Sequence, residues 1–470
     1  MTRYLPLLLC AAALSAHAAP VATPINPIPD LNQDQIRQSN DEAEQRQNKT
    51  AAPVSMTSQE LLQRPDLLQN ALDTAISQQN IKAVRFLLPL WKQLPEDKRD
   101  PVLGEYADAL LMRADGHQAE ASVKLRTLLT AHPEYAPIRL DLAQTLSQDG
   151  QEKEAAQEIA KIRETPDLPQ PVTEYLNQFD AHLKRSRSWQ LGANAYYLQE
   201  KNVGRVPEQR TYGPWRFSEP KSAHGIGYEL NAQKTTPVSG HWATRVNLSA
   251  YGKFYWDAHD YDDLILHAEG GPVWRNAKNE VSLTPLLEKR WYSGDSFSNS
   301  SGAALRYSHI FSPKWQLFSA WQSDYKRHNK RVFLDGSNHS GSLTLLYRSS
   351  PQQYFVLGTG GGRSNAKDLS DAYSFGSLRA GWTREWGKSR ALTTSLNASV
   401  QRRNYRAPDF FNIKRRDTEY FTRLSLSHSK ASWKGFTPRL NWTWSHVSSN
   451  HFYYRYNQNR VFLDVQKQFR

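Results

Sequence analysis

The run Asp257-Ala258-His259-Asp260-Tyr261-Asp262-Asp263 sets carboxylates beside an imidazole, a donor set able to activate water or to hold a divalent cation. A hydrolase built on it needs a second acidic or histidine cluster brought across the fold, and the local sequence supplies only the first. The run therefore reads as a solvated loop. Gly358-Thr359-Gly360-Gly361-Gly362 has the glycine density of a phosphate cradle but no Lys-Ser/Thr after it. Glycines in such a setting mark close backbone approach or a bend in a strand. The basic segment from Arg402-Arg403 to Lys414-Arg415-Arg416 carries Tyr405, Phe410 and Phe411 between its cations, which suits a polyanionic surface or a bound polypeptide, or a plain exposed loop. Cys10 is the sole cysteine and lies in an apolar N-terminal stretch. No catalytic, cofactor-binding or metal-binding residue is assigned from these patterns, and the chain reads as a non-enzyme.

The elements that position such residues divide sharply along the chain. Residues 1–18 combine Arg3, an apolar core from Leu5 to Leu14 and the small triplet Ala16-His17-Ala18, the form of a cleavable secretory signal with its cut between Ala18 and Ala19. Cys10 leaves with it, so no thiol or disulfide remains in the mature chain. Residues 19–57 form a Pro-, Gln- and Asn-rich tether that buries little. Charge then splits the chain in two: residues 188–470 hold 39 Lys and Arg against 21 Asp and Glu, net +18, and the preceding part is net −5. The positive charges are dispersed and no nucleic-acid motif accompanies them, so nucleic acid is excluded as a partner and an anionic membrane surface is the nearer one.

Residues 58–186 have helical periodicity with an internal repeat. A shift of 34 residues maps Tyr106, Ala109, Asp115-Gly116, Ala121, Leu125 and Leu128 onto Leu140, Ala143, Asp149-Gly150, Ala155, Ile159 and Ile162. That spacing resembles the tetratricopeptide repeat, which keeps small residues where its two helices cross. Ala109 and Ala121 fit the crossings, Gly116 the turn and Pro133 a helix end. A degenerate pair around Ala75 to Leu90 and a capping helix around Val172 to Leu183 complete the stack, because one helix pair cannot bury its own apolar face. The repeat register assigns Tyr106, Leu110, Arg113, Gln144 and Gln148 to an exposed concave side as client-binding residues.

From residue 187 to 470 the period falls to two. Ile226, Tyr228, Leu230 and Ala232 alternate with Gly227, Glu229, Asn231 and Gln233, and Leu392, Thr394, Leu396, Ala398 and Val400 alternate with Thr393, Ser395, Asn397, Ser399 and Gln401. One face of each segment is free of charge, as a strand between lipid and a polar lumen requires. Trp274, Trp291, Tyr292, Trp315, Trp321, Tyr354, Trp382, Trp386 and Trp433 are placed near strand ends as an aromatic girdle. Fourteen strands are expected, opening near residues 188, 223, 241, 262, 280, 302, 315, 339, 353, 373, 390, 417, 436 and 458. Short turns such as Pro237–Gly240 and Arg275–Asn279 alternate with longer loops such as Gln199–Ser222, Ser293–Ser301 and Asn404–Arg416. The fold class is α plus membrane β: helical repeats followed by a 14-stranded antiparallel transmembrane β-barrel. The last strand, Val461 to Phe469, resembles a barrel-assembly signal, with Phe469 penultimate and Lys467 at an alternating apolar position.

The domain order, and the barrel entry Ser188-Trp189-Gln190-Leu191-Gly192 through Lys201-Asn202-Val203, resemble the surface lipoprotein assembly modulator family over about Pro101 to Arg470. The resemblance implies a translocation and surface-display factor that moves a surface lipoprotein, or a secreted haem- or metal-scavenging protein, from periplasm to cell surface. It implies an outer-membrane location with the helical domain in the periplasm. Its partners would be the client, outer-membrane lipid and lipopolysaccharide, with barrel assembly machinery and periplasmic chaperones for its own insertion. The competing functions are a polysaccharide export pore, favoured by a continuous basic ladder in the lumen, and an outer-membrane enzyme. A passive porin leaves the repeats without a purpose.

Overall fold

Local sequence sets each helix of the N-terminal part. The computed structural model describes residues 57–469 apart from 167, 208 and 388, so the expected leader with its Ala18-Ala19 cut, and the tether to residue 56, lie outside the described residues. Thr57 and Glu60 form a capping box that opens α1 (Ser58–Leu62). Helices α2 (Pro65–Ser77) and α3 (Ile81–Trp91) form the degenerate first pair. The Asp100 carboxylate accepts from the Val102 and Leu103 amides and starts α4 (Pro101–Ala114), with Pro101 in the first turn. Then come α5 (Gln118–Ala131), α6 (Ala136–Gln148), α7 (Glu152–Arg163) and α8 (Gln170–Arg187).

Ala109, Ala121, Ala143 and Ala155, the small residues of the 34-residue register, are all completely buried. Side chains larger than a methyl at these crossings would hold the paired helices apart. Around them Leu125, Ile138, Leu142 and Leu146 pack as one core, while Leu68, Leu72, Val84, Trp91 and Leu110 form another toward the N-terminus. Each such buried aliphatic side chain contributes roughly 1.5–3 kcal/mol against exposure. The helical part is thus a stack of tetratricopeptide-like pairs capped by α8.

Beyond Ser188 the chain closes on itself. The barrel strands are β1 (Gln190–Glu200), β4 (Ala223–Ser239), β5 (Trp242–Tyr255), β6 (Asp263–Arg275), β7 (Asn279–Tyr292), β8 (Asp295–Ser312) and β9 (Trp315–His328). They continue as β10 (Gly336–Ser350), β11 (Gln353–Ser364), β12 (Tyr373–Trp386), β13 (Leu392–Pro408), β14 (Lys414–His428), β15 (Phe436–Ser449) and β16 (Tyr456–Phe469). A small hairpin of β2 (Thr211–Tyr212) and β3 (Trp215–Arg216) sits in the connection after β1. All barrel neighbours are antiparallel and β1 pairs with both β4 and β16, which closes the ring of fourteen strands. No described helix is long and apolar enough to cross a membrane.

The outward rows carry Leu230, Leu305, Leu343, Leu357, Leu378 and Leu396 exposed, and the alternate rows carry the polar side chains. This is the inverse of a soluble sandwich, whose apolar rows face each other. Two expectations need correction. The loop expected over Ser293–Ser301 is a tight turn at Ser293-Gly294, where φ is +55° and +77°, and β8 already starts at Asp295. Left-handed conformations at both central positions match the twist of a two-residue hairpin. Trp321, expected near a strand end, lies in the middle of β9, about as far from Trp315 as from His328.

Candidate functional site

The corner between α6 and α7 projects acids at the barrel turns. The Glu152 carboxylate accepts from Arg275 at 2.6 Å and from the Ser186 hydroxyl at 3.0 Å. Asp149 meets His241 Nε2 at 2.8 Å and accepts from the Ala277 amide at 3.3 Å. The Gly240 amide donates to Glu154 at 2.7 Å, and Lys153 donates to the Val238 carbonyl at 3.1 Å. Gly150 makes this approach possible: its φ of +78° is left-handed, and a Cβ there would lie 2.8 Å from the Arg275 carbonyl oxygen. The opposite net charges of the two parts are realised at this contact. The docked turns, Gly240-His241 and Asn276-Ala277-Lys278, lie at one end of the barrel, the end at which β1 begins.

Inside the stack a buried polar network joins α4, α6 and α8. The Arg113 guanidinium donates to Asp141 Oδ1 at 2.7 Å and to Gln144 Oε1 at 3.0 Å. The Tyr106 hydroxyl donates to the same carboxylate, and Gln144 donates to the Tyr175 hydroxyl. Burial, with the Asp141 charge beside it, pushes the Tyr106 phenol well above its ordinary range. The five residues assigned to the concave side therefore divide. Leu110 is completely buried in the core, and its assignment as an exposed contact is corrected: it packs rather than binds. Tyr106 and Gln144 are half-buried members of the network, the Arg113 side chain is almost wholly buried in it, and Gln148 is exposed. Asp141 and Tyr175, which sequence reasoning passed over, organise the group.

The lumen is lined by matched charges. Arg245 pairs with Glu280 at 2.6 Å, Arg306 with Glu269 at 2.7 Å, Arg403 with Glu419 at 3.0 Å and Arg439 with the fully buried Asp464 at 2.6 Å. Among the described residues these pairs set an acid beside each of four lumen arginines, which interrupts the continuous basic ladder that a polyanionic sugar favours.

The segments first considered for chemistry are used structurally. Asp257 accepts from the His224 amide at 2.8 Å, His259 meets Asp262 at 3.0 Å, Asp262 accepts from the Tyr255 amide at 2.7 Å, and Asp263 holds Arg290 at 2.8 Å. The acidic run thus braces its own loop and meets one histidine from β4. Gly362 faces the neighbouring strand so closely that a Cβ would lie 2.2 Å from the His339 carbonyl oxygen. In the basic segment Arg415 is sandwiched between the Tyr405 and Tyr454 rings at 3.6 and 3.7 Å.

A closed fourteen-stranded barrel with an apolar outer surface, a charged lumen and a repeat stack docked on its turns defines an outer-membrane β-barrel protein of the repeat-bearing type. Residues 189–469 match the family described as surface lipoprotein assembly modifier, and residues 54–159 match the N-terminal repeats of the same family. The chain belongs to the surface lipoprotein assembly modifier family. It is 32% identical to surface lipoprotein assembly modifier 1 of Haemophilus influenzae over 90% of this chain and 89% of that one. It is 29% identical to surface lipoprotein assembly modifier 1 of Neisseria meningitidis, covering 87% and 84% respectively. It is also 25% identical to the hemophilin secretion modulator of Acinetobacter baumannii, covering 87% and 86%.

Proposed function

We propose that this chain carries a client protein, a surface lipoprotein or a secreted haem- or metal-scavenging protein, from periplasm to cell surface by transport rather than catalysis. The observation that carries the reading is the dock of Asp149, Glu152 and Glu154 onto the barrel turns, which sets a repeat stack, an architecture with an extended concave surface, beside one end of a polar-lined barrel. The names of its relatives support the client classes. The stack and the docked turns face the periplasm, and the longer loops face outside. The client meets the stack at Gln148 and along the wall braced by Tyr106, Arg113 and Gln144. A leader removed between Ala18 and Ala19 exports the chain, and chaperones and the barrel assembly machinery insert it. Arg402 and Arg416, in outward rows near the external ends of β13 and β14, meet lipopolysaccharide phosphates.

The test is deletion of the chain followed by surface biotinylation of intact cells. A named lipoprotein or secreted scavenger is expected to vanish from the exterior while persisting inside. An unchanged surface protein profile would reject the reading.

A further inference from the structure

The ring is not closed equally everywhere. The ladder between β1 and β16 runs from Leu191–Phe469 to Tyr196–Asp464 and stops, although β1 extends to Glu200 and β16 starts at Tyr456. On its other edge β1 pairs with β4 over its whole length, from Gln190–Gln233 to Glu200–Ala223, and β15 pairs with β16 from Phe436–Lys467 to Val447–Tyr456. The first and last strands are therefore zipped at one end only. In hydrocarbon an unzipped stretch of backbone is costly, so something else must hold it.

Two devices do so. On the lumen side Glu200 bridges the gap, meeting Arg460 of β16 at 3.4 Å and Lys253 at 2.8 Å. Above the gap the loops on either side of the seam are clasped together. The loop after β1 brings Tyr212 flat against Phe452 of the loop before β16, with ring centroids 4.2 Å apart and an interplanar angle of 12°. Phe217 adds contacts to Phe452 and Tyr453, and Arg205 lies over the ring of Tyr456, the first residue of β16. Aromatic contacts and ion pairs can part and reform without unfolding a strand.

On the outer face of the same seam lies an apolar cleft of about 230 Å³ lined by Ala195, Tyr197, Ile226, Trp256, Leu463 and Val465. It opens toward lipid at the place where the ladder ends.

We infer that the β1–β16 seam is a lateral gate, and that the acyl chains of a lipid-linked client pass along its apolar cleft while the polypeptide passes the charged lumen. This deepens the transport reading and rests on it. A closed ring would force acyl chains past Arg439, Asp464 and Glu200, out of hydrocarbon and over charge, at a cost for every methylene. A gate that opens beside the cleft keeps the chains in lipid throughout. The half-length ladder makes this seam the joint with the fewest backbone hydrogen bonds to break, and the clasp keeps it shut at rest.

The experiment uses the full chain, whose only cysteine is Cys10. Ala195 and Val465 are direct ladder partners across the seam, and Leu230 and Ala250 are partners across β4 and β5. Cross-strand partners fall within disulfide reach. The probe is the lipoprotein that surface biotinylation identifies as dependent on this chain. Oxidised A195C/V465C is expected to cut its delivery at least tenfold, with recovery on reduction, whereas oxidised L230C/A250C delivers normally. Recovery on reduction separates a locked gate from a misfolded barrel. A photocrosslinking residue in place of Leu463 is expected to capture the client, and one in place of Leu343 on β10 is not. Full delivery through the oxidised seam, equal loss in both oxidised variants, or capture at neither position would overturn the gate. If the unmodified chain delivers no lipoprotein, the transport reading itself fails and the gate falls with it. Delivery through an oxidised seam removes the gate alone.

Discussion

Glu152→Ala tests whether the repeat stack is held on the barrel by the contacts described. The Glu152 side chain is 10% exposed, and that of its partner Arg275 is 22% exposed. A charge-assisted hydrogen bond of this kind contributes roughly 1.5–3 kcal/mol, and orphaning a fully buried charge costs about 3–5 kcal/mol. Arg275 retains enough exposure to rehydrate, so the lower range applies and about 2 kcal/mol is the working figure. At 1.36 kcal/mol per tenfold, that raises the undocked population about 30-fold. The Gly240 and Ala277 amides report it directly, because each donates to a carboxylate of the helical part, Glu154 and Asp149. Hydrogen exchange at these two amides is expected to quicken about 30-fold, while mid-strand amides such as that of Val246 stay protected. Arg275→Ala on top of Glu152→Ala is expected to add little, since the pair is already broken. Exchange at Gly240 and Ala277 that changes less than about twofold would refute the assignment of docking energy to this pair.

Three further outcomes are expected. Asp141→Ala strands the Arg113 guanidinium, whose side chain is 9% exposed; it should lower the melting temperature of the helical signal by on the order of 10 °C in detergent, with the barrel transition unmoved. Leu357→Arg places a cation on the lipid face of β11 at a residue 62% exposed, and should cost about 2–4 kcal/mol, read as loss of the heat-modifiable folded band; Val356→Ser, on the lumen face next to it, should leave that band intact. Burial holds the His451 imidazole below its ordinary 6.5, outweighing Asp409, which lies 2.8 Å away and acts to raise it, with Arg415 lowering and Asp417 raising further. Opening the loop cluster therefore favours proton uptake: the stability His451 contributes is complete above about pH 6.5 and is lost as pH falls below it. Protease sensitivity of the loop carrying Trp215 should rise between about pH 7.5 and pH 5.5, and His451→Gln should flatten that rise. A pH-independent rate would remove His451 from the cluster's stability.

What was legible in the sequence tracked its periodicity. Ala109 and Ala143, and Ala121 and Ala155, stood out because helix crossings tolerate only small side chains and the repeat places them at a fixed interval. The strands were legible wherever hydrocarbon and lumen impose opposite chemistries on alternate residues, as from Leu392 to Val400. Alternation fails at the outer rim, where both rows of β8 carry almost only polar side chains, so the stretch from Asp295 to Ser301 has no apolar period to mark it as strand. The repeat register placed the candidate contacts on the right helices, but it could not show that Leu110 points into the core. Nor could it show that Asp141, a carboxylate on a packed helix face, would gather Tyr106, Arg113 and Gln144 around it. The dock and the clasp were out of reach altogether. Glu152 and Arg275 are 123 residues apart, and only the closed ring determines which turn meets the stack.

Transport is tested most directly with the purified full chain inserted into lipid vesicles loaded with the lipoprotein identified by surface biotinylation, the helical part facing the interior. Protease added outside is expected to digest the lipoprotein only in vesicles that contain the chain, and digestion should fall when Glu152→Ala releases the dock. Lipoprotein that stays protected in those vesicles, as it does in vesicles of lipid alone, would contradict transport by this protein.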